Sequence, residues 1–213
     1  RPTAAPSAPA TLLGLELMRF VCALSVLLWH YQHFYVVGPA TAELVHDRAV
    51  QPLATWLAPF YGHGWLGVQA FWALSGFIFF WKYGQAVAEG RVAPARFAWL
   101  RFSRLYPLHL LTLLAMLPLI AWYRAQTGQD YVYGNNDLPH FVLQLFLASD
   151  WAGRSDWSFN GPIWSISIEV LAYAVFFVLS RLGWVRPWQI GAMILATGVV
   201  YALKLTPHPL VLC

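Results

Sequence analysis

Apolar residues in this chain gather into long blocks, with the polar residues falling between them. Blocks cover approximately residues 12–34, 65–81, 101–123, 163–179 and 188–205. Each comes close to the roughly 20 residues that cross a bilayer as a helix. A further block, PHFVLQLFLAS at 139–149, is apolar but too short to cross and predicts a re-entrant or interfacial helix. The pattern therefore predicts an all-α, polytopic helical membrane bundle with about five spans plus one short half-way helix. Pro107 and Pro118 predict kinks in the third span. Residues 1–11, rich in Pro, Ala and Ser, predict a disordered lead-in to a membrane domain over 12–213.

The polar stretches orient the spans. Between the second and third lies a basic connector with Lys82, Arg91, Arg96, Arg101 and Arg104 against a single Glu89, and the positive-inside rule places it in the cytoplasm. Residues 35–63 read as a loop with room for a short interfacial helix, and 124–138 as a loop outside. If 139–149 does not cross, the span 163–179 runs inward and leaves Arg181 and Arg186 in the cytoplasm, as the rule prefers.

Composition agrees with this class. Of 213 residues, 59% are hydrophobic and only 10% charged, well below the roughly one quarter charged in soluble domains. Twelve Trp and ten Tyr suit interfacial belts as well as protein-lined cavities. The net charge of +4 matters less than its clustering, and nothing in it points to nucleic acid. Two cysteines make no disulfide framework, and the scattered histidines show no metal spacing, so no metal is expected. The chain begins with Arg1 and ends in KLTPHPLVLC, which reads as a fragment.

Charged groups inside apolar blocks supply the candidate chemistry, because each costs at least a few kcal/mol there and marks a function by default. The first block carries Glu16, Arg19 and His30. Arg19 and His30, eleven residues apart, point within about 20° of each other and lie roughly 16 Å apart along one helix face. His30 suits a general base and Arg19 a fixed positive charge; pairing of Arg19 with Glu16 near the interface accounts for the same residues without catalysis. GVQAFWALSGFIFF at 67–80 places Ser75 beside Gly76 on a seam of small residues. Arg101 and Arg104, three apart, form two guanidinium forks that fit either a phosphate-bearing ligand or lipid headgroups. NGPIWSISIEVLAY at 160–173 makes a turn at Asn160 and then sets Ser165 and Glu169 four apart on one face.

Taken together these stretches resemble the membrane-bound acyltransferase-3 family, the O-antigen acetylase-like proteins. The resemblance rests on Arg19 and His30 with ten residues between them and on Phe71-Trp72-Ala73-Leu74-Ser75-Gly76-Phe77. It rests equally on Arg101-Phe102-Ser103-Arg104-Leu105-Tyr106-Pro107 and, after Asn160-Gly161-Pro162, on Trp164-Ser165-Ile166-Ser167-Ile168-Glu169. It covers roughly 12–181, the N-terminal half of the family's bundle of about ten helices.

The resemblance implies an acyl-CoA donor, commonly acetyl-CoA, in the cytoplasm. The acceptor it implies is a hydroxyl of a carbohydrate, glycolipid or secondary metabolite such as a macrolide, in a bacterial inner membrane. With that chemistry, His30, Arg19 and Glu169 are expected to serve catalysis, Arg101, Arg104 and Ser75 the donor, and Glu16, Trp164, Ser165 and Asn160 positioning. A covalent acyl-histidine is a second route. A competing class is an ion-coupled transporter or flippase using Arg19, His30 and Glu169 as a relay, and a third is a packing piece for a partner.

Overall fold

A computed structural model describes residues 13–35, 47–151 and 157–202; the predicted lead-in over 1–11 and residues 203–205 of the last predicted span lie outside them. Among the described residues every regular element is helical. The helices are α1 (Leu13–Tyr31), α2 (Ala54–His63), α3 (Leu66–Phe79), α4 (Gln85–Ala88), α5 (Pro94–Thr127), α6 (Leu138–Leu145), α7 (Ile163–Arg181) and α8 (Pro187–Ala202). Three stretches are long and apolar enough to cross a membrane by themselves: Leu13–Tyr35, Pro94–Thr127 and Ile163–Arg181. A fourth, Ala54–His63 with Leu66–Ala88, is bent by 55°. The expected count of five spans thus becomes three or four here, because α8 has only 16 described residues.

Both polar stretches, 35–63 and the basic connector, carry more helix than their charge suggests, and the short helix for which 35–63 has room is α2. Residues 54–63 extend α3 backwards across the bend, with Pro59 inside α2. The basic connector is short, because α5 starts at Pro94, seven residues before the predicted span. Proline at the first helical position has no amide to leave unbonded, and Ala93 ahead of it is extended. Arg96, Arg101 and Arg104 therefore ride on helix. The 34 residues of α5 continue through Pro107 and Pro118 and rise roughly 51 Å, more than the hydrocarbon thickness.

Close packing of α1 on α3 depends on two missing side chains. A Cβ at Gly64 would stand 2.3 Å from the Ser25 carbonyl oxygen and 2.8 Å from the Trp29 Cβ. At Gly67 it would stand 2.7 Å from the Cys22 carbonyl oxygen and 2.9 Å from Val26. Neither space can be made without moving backbone, as in other small-residue helix seams. G67A is expected to lose about 1–3 kcal/mol from overpacking. A fall in midpoint on heating in detergent would measure it, and an unchanged midpoint would refute the seam.

A hydrophobic core of Phe79, Phe97 and Phe176 with Val87 closes one end of the bundle, flanked by Tyr83 and Tyr173. It is the end that carries the connector's positive charges. A second cluster, Leu113, Ile120 and Phe159 with Phe141 and Leu145, lies further along α5. These clusters, with the approach of Ser25 to Gly64 and Cys22 to Gly67, run α1 and α5 away from the basic end and α3 and α7 toward it.

The half-way segment dips between α5 and α7. His109 Nε2 and Tyr106 Oη on α5 donate to the carbonyls of Gln144 and Leu145, at 2.8 and 3.1 Å. Beyond α6, the Asp150 amide and Trp151 Nε1 donate to Ser167 Oγ and its carbonyl on α7. Ser158 then returns to Gln144, whose Nε2 donates to its carbonyl and to Oγ. An α6 of eight residues, about 12 Å long, with its neighbours bonded to two helices, satisfies backbone that lipid could not.

Candidate active site

A cavity of about 370 Å³ lies where the basic ends of α1, α3, α5 and the middle of α7 meet. Helical spacing explains how four separate segments contribute. On α1, residues Glu16, Arg19 and Val26 face it; on α3 and its π-helical extension Phe80–Gly84, Trp72, Ser75, Phe79 and Lys82 do so at intervals of three or four, joined by Tyr83. Arg101, Arg104 and Leu105 come from α5, and Ser165, Glu169 and Tyr173 from α7. Seven of the sequence-derived candidates are thereby collected around one cavity: Glu16, Arg19, Ser75, Arg101, Arg104, Ser165 and Glu169.

The cavity is positive. Four cations (Arg19, Lys82, Arg101, Arg104) oppose two carboxylates (Glu16, Glu169), an excess of two positive charges among the lining residues. Arg19 Nη1 stands 3.5 Å from Glu16 Oε1, a loose pair with Glu16 largely exposed. Glu169 accepts a hydrogen bond from the Tyr173 hydroxyl one turn along α7.

Arg101 sits among rings rather than acids. Its guanidinium carbon lies 5.0 Å from the centroid of Phe79 and 5.8, 5.8 and 5.9 Å from Tyr83, Phe97 and Tyr173. Ring faces attract the cation without consuming its hydrogen-bond donors. Its buried Nε has no hydrogen-bond partner among the described residues. Such a guanidinium is held in place and keeps its fork for an oxyanion.

His30, Trp164 and Asn160 do not line the cavity. The ring of His30 lies one turn beyond Val26, where the lining ends. Its Nδ1 is 2.8 Å from the Val26 carbonyl oxygen. A carbonyl only accepts, so this geometry assigns the proton to Nδ1 and leaves the lone pair of Nε2 as the basic position. Trp164 packs edge-on against Trp72, centroids 5.6 Å apart, and so supports a lining ring from behind.

Asn160 serves the turn. Its Nδ2 donates to Thr112 Oγ1 at 2.9 Å, and its amide lies 3.4 Å from Gln144 Oε1. Gln144 is almost fully buried and joins α6 to both sides of this return. Gln144→Leu would orphan those groups, at an expected cost of about 1–3 kcal/mol read by thermal unfolding in detergent. A variant as stable as the parent would show that the return is held elsewhere.

Lys82, Tyr83 and Tyr173 were not among the sequence candidates, although Tyr173 stands four residues after Glu169 and Lys82 seven after Ser75, both spacings that share a helix face. An aromatic residue in an aromatic-rich chain carries little signal by itself, and Lys82 reads first as a membrane anchor.

With this arrangement in view, comparison with known proteins is decisive. Residues 12–211 match the model of the acyltransferase-3 family, described as an acyltransferase domain. The chain belongs to that family. Acyltransferase MdmB of Streptomyces mycarofaciens is 28% identical to it over 181 residues, 83% of this chain and 41% of that protein. Protein 2 in the picA locus of Rhizobium radiobacter is 32% identical over 110 residues, 52% of this chain and 46% of the other. The chain spans less than half the length of these curated relatives, and no solved structure matches it.

Proposed function

We propose that this membrane acyltransferase moves an acyl group, acetyl in the simplest case, from cytoplasmic acyl-CoA to a hydroxyl of a carbohydrate or glycan-like acceptor. The observation that carries the reading is the guanidinium of Arg101, caged by rings with an unbonded buried Nε, in a cavity with an excess of two positive charges. Phosphates of coenzyme A match that charge and the fork geometry. Arg104 and Lys82 line the same cavity as Arg101, and Ser75 adds a hydroxyl to it. In this reading the basic end, with the 82–104 connector, faces the cytoplasm of a bacterial cell and the membrane is the inner one.

The donor's arm then runs along α1 from Arg19 past Val26, and its thioester meets His30. From Glu16 to Val26 the helix rises roughly 15 Å, a distance for an extended arm rather than a compact ligand. The acceptor oxygen attacks the thioester carbonyl carbon while its proton passes to His30 Nε2. As the C–S bond breaks, the thiolate of CoA takes that proton back, and ester and free thiol leave a neutral imidazole.

Roughly 16 Å along α1 separates Arg19 from His30, so Arg19 positions the donor and is too distant to serve an oxyanion beside His30. Glu169, tied to Tyr173, balances the arginines and Glu16 steadies Arg19; Ser165, Trp164 and Asn160 shape the α7 wall. The test is release of free CoA from acetyl-CoA by membranes containing the protein, with cell-surface glycans supplied as an acceptor pool. It is run on this chain and on the chain extended to its relatives' length. Release in neither, with ion flux dependent on Glu169, would favour a transporter. Acylated protein trapped before acceptor is added would replace direct transfer by the acyl-histidine route.

A further inference from the structure

At the other end of α1 from the polar cavity, a second histidine is locked onto His30. His33 lies on the 3-10 turn Gln32–Tyr35 that follows α1. Its ring stacks on that of His30, centroids 5.5 Å apart and planes within 16°. Its Nδ1 donates to the His30 carbonyl at 2.9 Å, which by the same argument leaves Nε2 as an acceptor. That acceptor faces the hydroxyl of Tyr133 at 3.2 Å, so Tyr133 donates to it. Trp29 closes the other side, edge-on to both imidazoles at 4.8 and 5.6 Å.

Tyr133 is set from several directions. A Cβ on Gly161, in the turn that opens α7, would lie 2.3–2.7 Å from its ring and hydroxyl, so the tyrosine rests on bare backbone. Trp157 meets it edge-on at 5.5 Å, and Asn136 Nδ2 holds its carbonyl at 2.7 Å. Val132 before it and Phe159, two residues before Gly161, both have positive φ, 61° and 37°. For a β-branched and an aromatic residue this is strain, which persists only where the surroundings over-determine it. Burial also pushes the Tyr133 phenol up to about 12, so the hydroxyl stays a donor at physiological pH.

We infer that His33, held by Tyr133 across the Gly161 turn, is the positioning residue that keeps the His30 ring aimed with Nε2 free. Both ring nitrogens of His33 are engaged, so it does not exchange protons with substrate. Its effect is geometric: the stacked ring blocks the His30 rotamers in which Nδ1 would leave the Val26 carbonyl. This rests on His30 acting as the base. It explains why the turn carries glycine at 161, and it joins the α7 turn to the end of α1, far along the chain.

The experiment compares H33A, Y133F and the double variant, in membranes where the parent releases CoA in a His30-dependent way. H33A is expected to lower kcat about 10- to 100-fold, as for a misplaced catalytic group, with the donor KM within about twofold. Y133F, which removes one hydrogen bond, is expected to lower kcat about two- to tenfold. The double variant should match H33A, because the hydroxyl acts only through His33; G161A, which displaces the tyrosine, should match Y133F. An unaltered kcat in H33A, or a further loss when Y133F is added to it, would overturn the inference while leaving the acyltransferase reading intact. An independent readout is 15N NMR of ring-labelled histidine in nanodiscs. One Nδ1-protonated tautomer for His30 in the parent and a mixture in H33A are expected. The same single tautomer in both would refute the clamp even if no turnover is found.

Discussion

Replacing His30 by alanine is expected to abolish transfer and leave the protein inserted. The expected loss in kcat is about 10²- to 10⁴-fold, the usual worth of a positioned general base. Two other candidate bases are already engaged. Glu169 is occupied by Tyr173 and faces the arginines, and His33 has both nitrogens bonded. The backbone of α1 does not depend on the imidazole, because the bond from Nδ1 to Val26 is a side-chain bond laid over an intact helix. Protein level in membranes and CoA release, measured together, check this. A H30A protein that inserts normally and retains more than a tenth of parental turnover would remove His30 from the chemistry.

The second large effect is expected at the arginine pair. Charge-assisted hydrogen bonds are worth about 1.5–3 kcal/mol each, so R101A should raise the donor KM about 10- to 100-fold. Because phosphates far from the reacting carbonyl are bound alike in the ground and transition states, kcat should change little. Arg101 also packs among four rings, so its truncation opens space; R101K keeps charge but loses the fork and the planar stacking, and should fall between the two. Arg104 is exposed and outside the ring cage, which makes R104A the cleaner probe of ligand charge. A several-fold rise in KM for R104A, with a parent KM that climbs on adding salt so that the gap between the two narrows, would support phosphate recognition. A drop in kcat at constant KM would instead place these arginines at the reaction centre.

Parts of this arrangement are legible without coordinates for simple reasons. Lipid tolerates only backbone that bonds to itself, so apolar length alone marks α1, α5 and α7 as helices. A charge inside such a block is costly, and that cost singles out Arg19, Arg101, Arg104 and Glu169 before any contact is known. Helical periodicity then puts Ser165 on the face of Glu169. The same reasoning falls short at boundaries. Hydropathy cannot see that Pro94 opens α5 within a charged stretch, because helix capping there depends on a missing amide, not on burial. Nor can it see that the short helix within 35–63 joins α3 across a bend of 55° to make one candidate span.

What the chain by itself determines is therefore its class, its three longest apolar helices and which ionisable residues are out of place in them. These follow from local terms: the transfer cost of each side chain and the 3.6-residue period. What only the tertiary structure decides is who meets whom. The ring cage around Arg101 draws on α3, its π-helical extension, α5 and α7, and the clamp on His30 joins His33 to Tyr133 a hundred residues later. Phe, Tyr and Gly carry no charge that would mark them as displaced, so nothing local separates Tyr133 from the other tyrosines. Their roles arise where helices approach closely enough for a missing Cβ at Gly64, Gly67 or Gly161 to matter, and that distance is a property of the packed bundle.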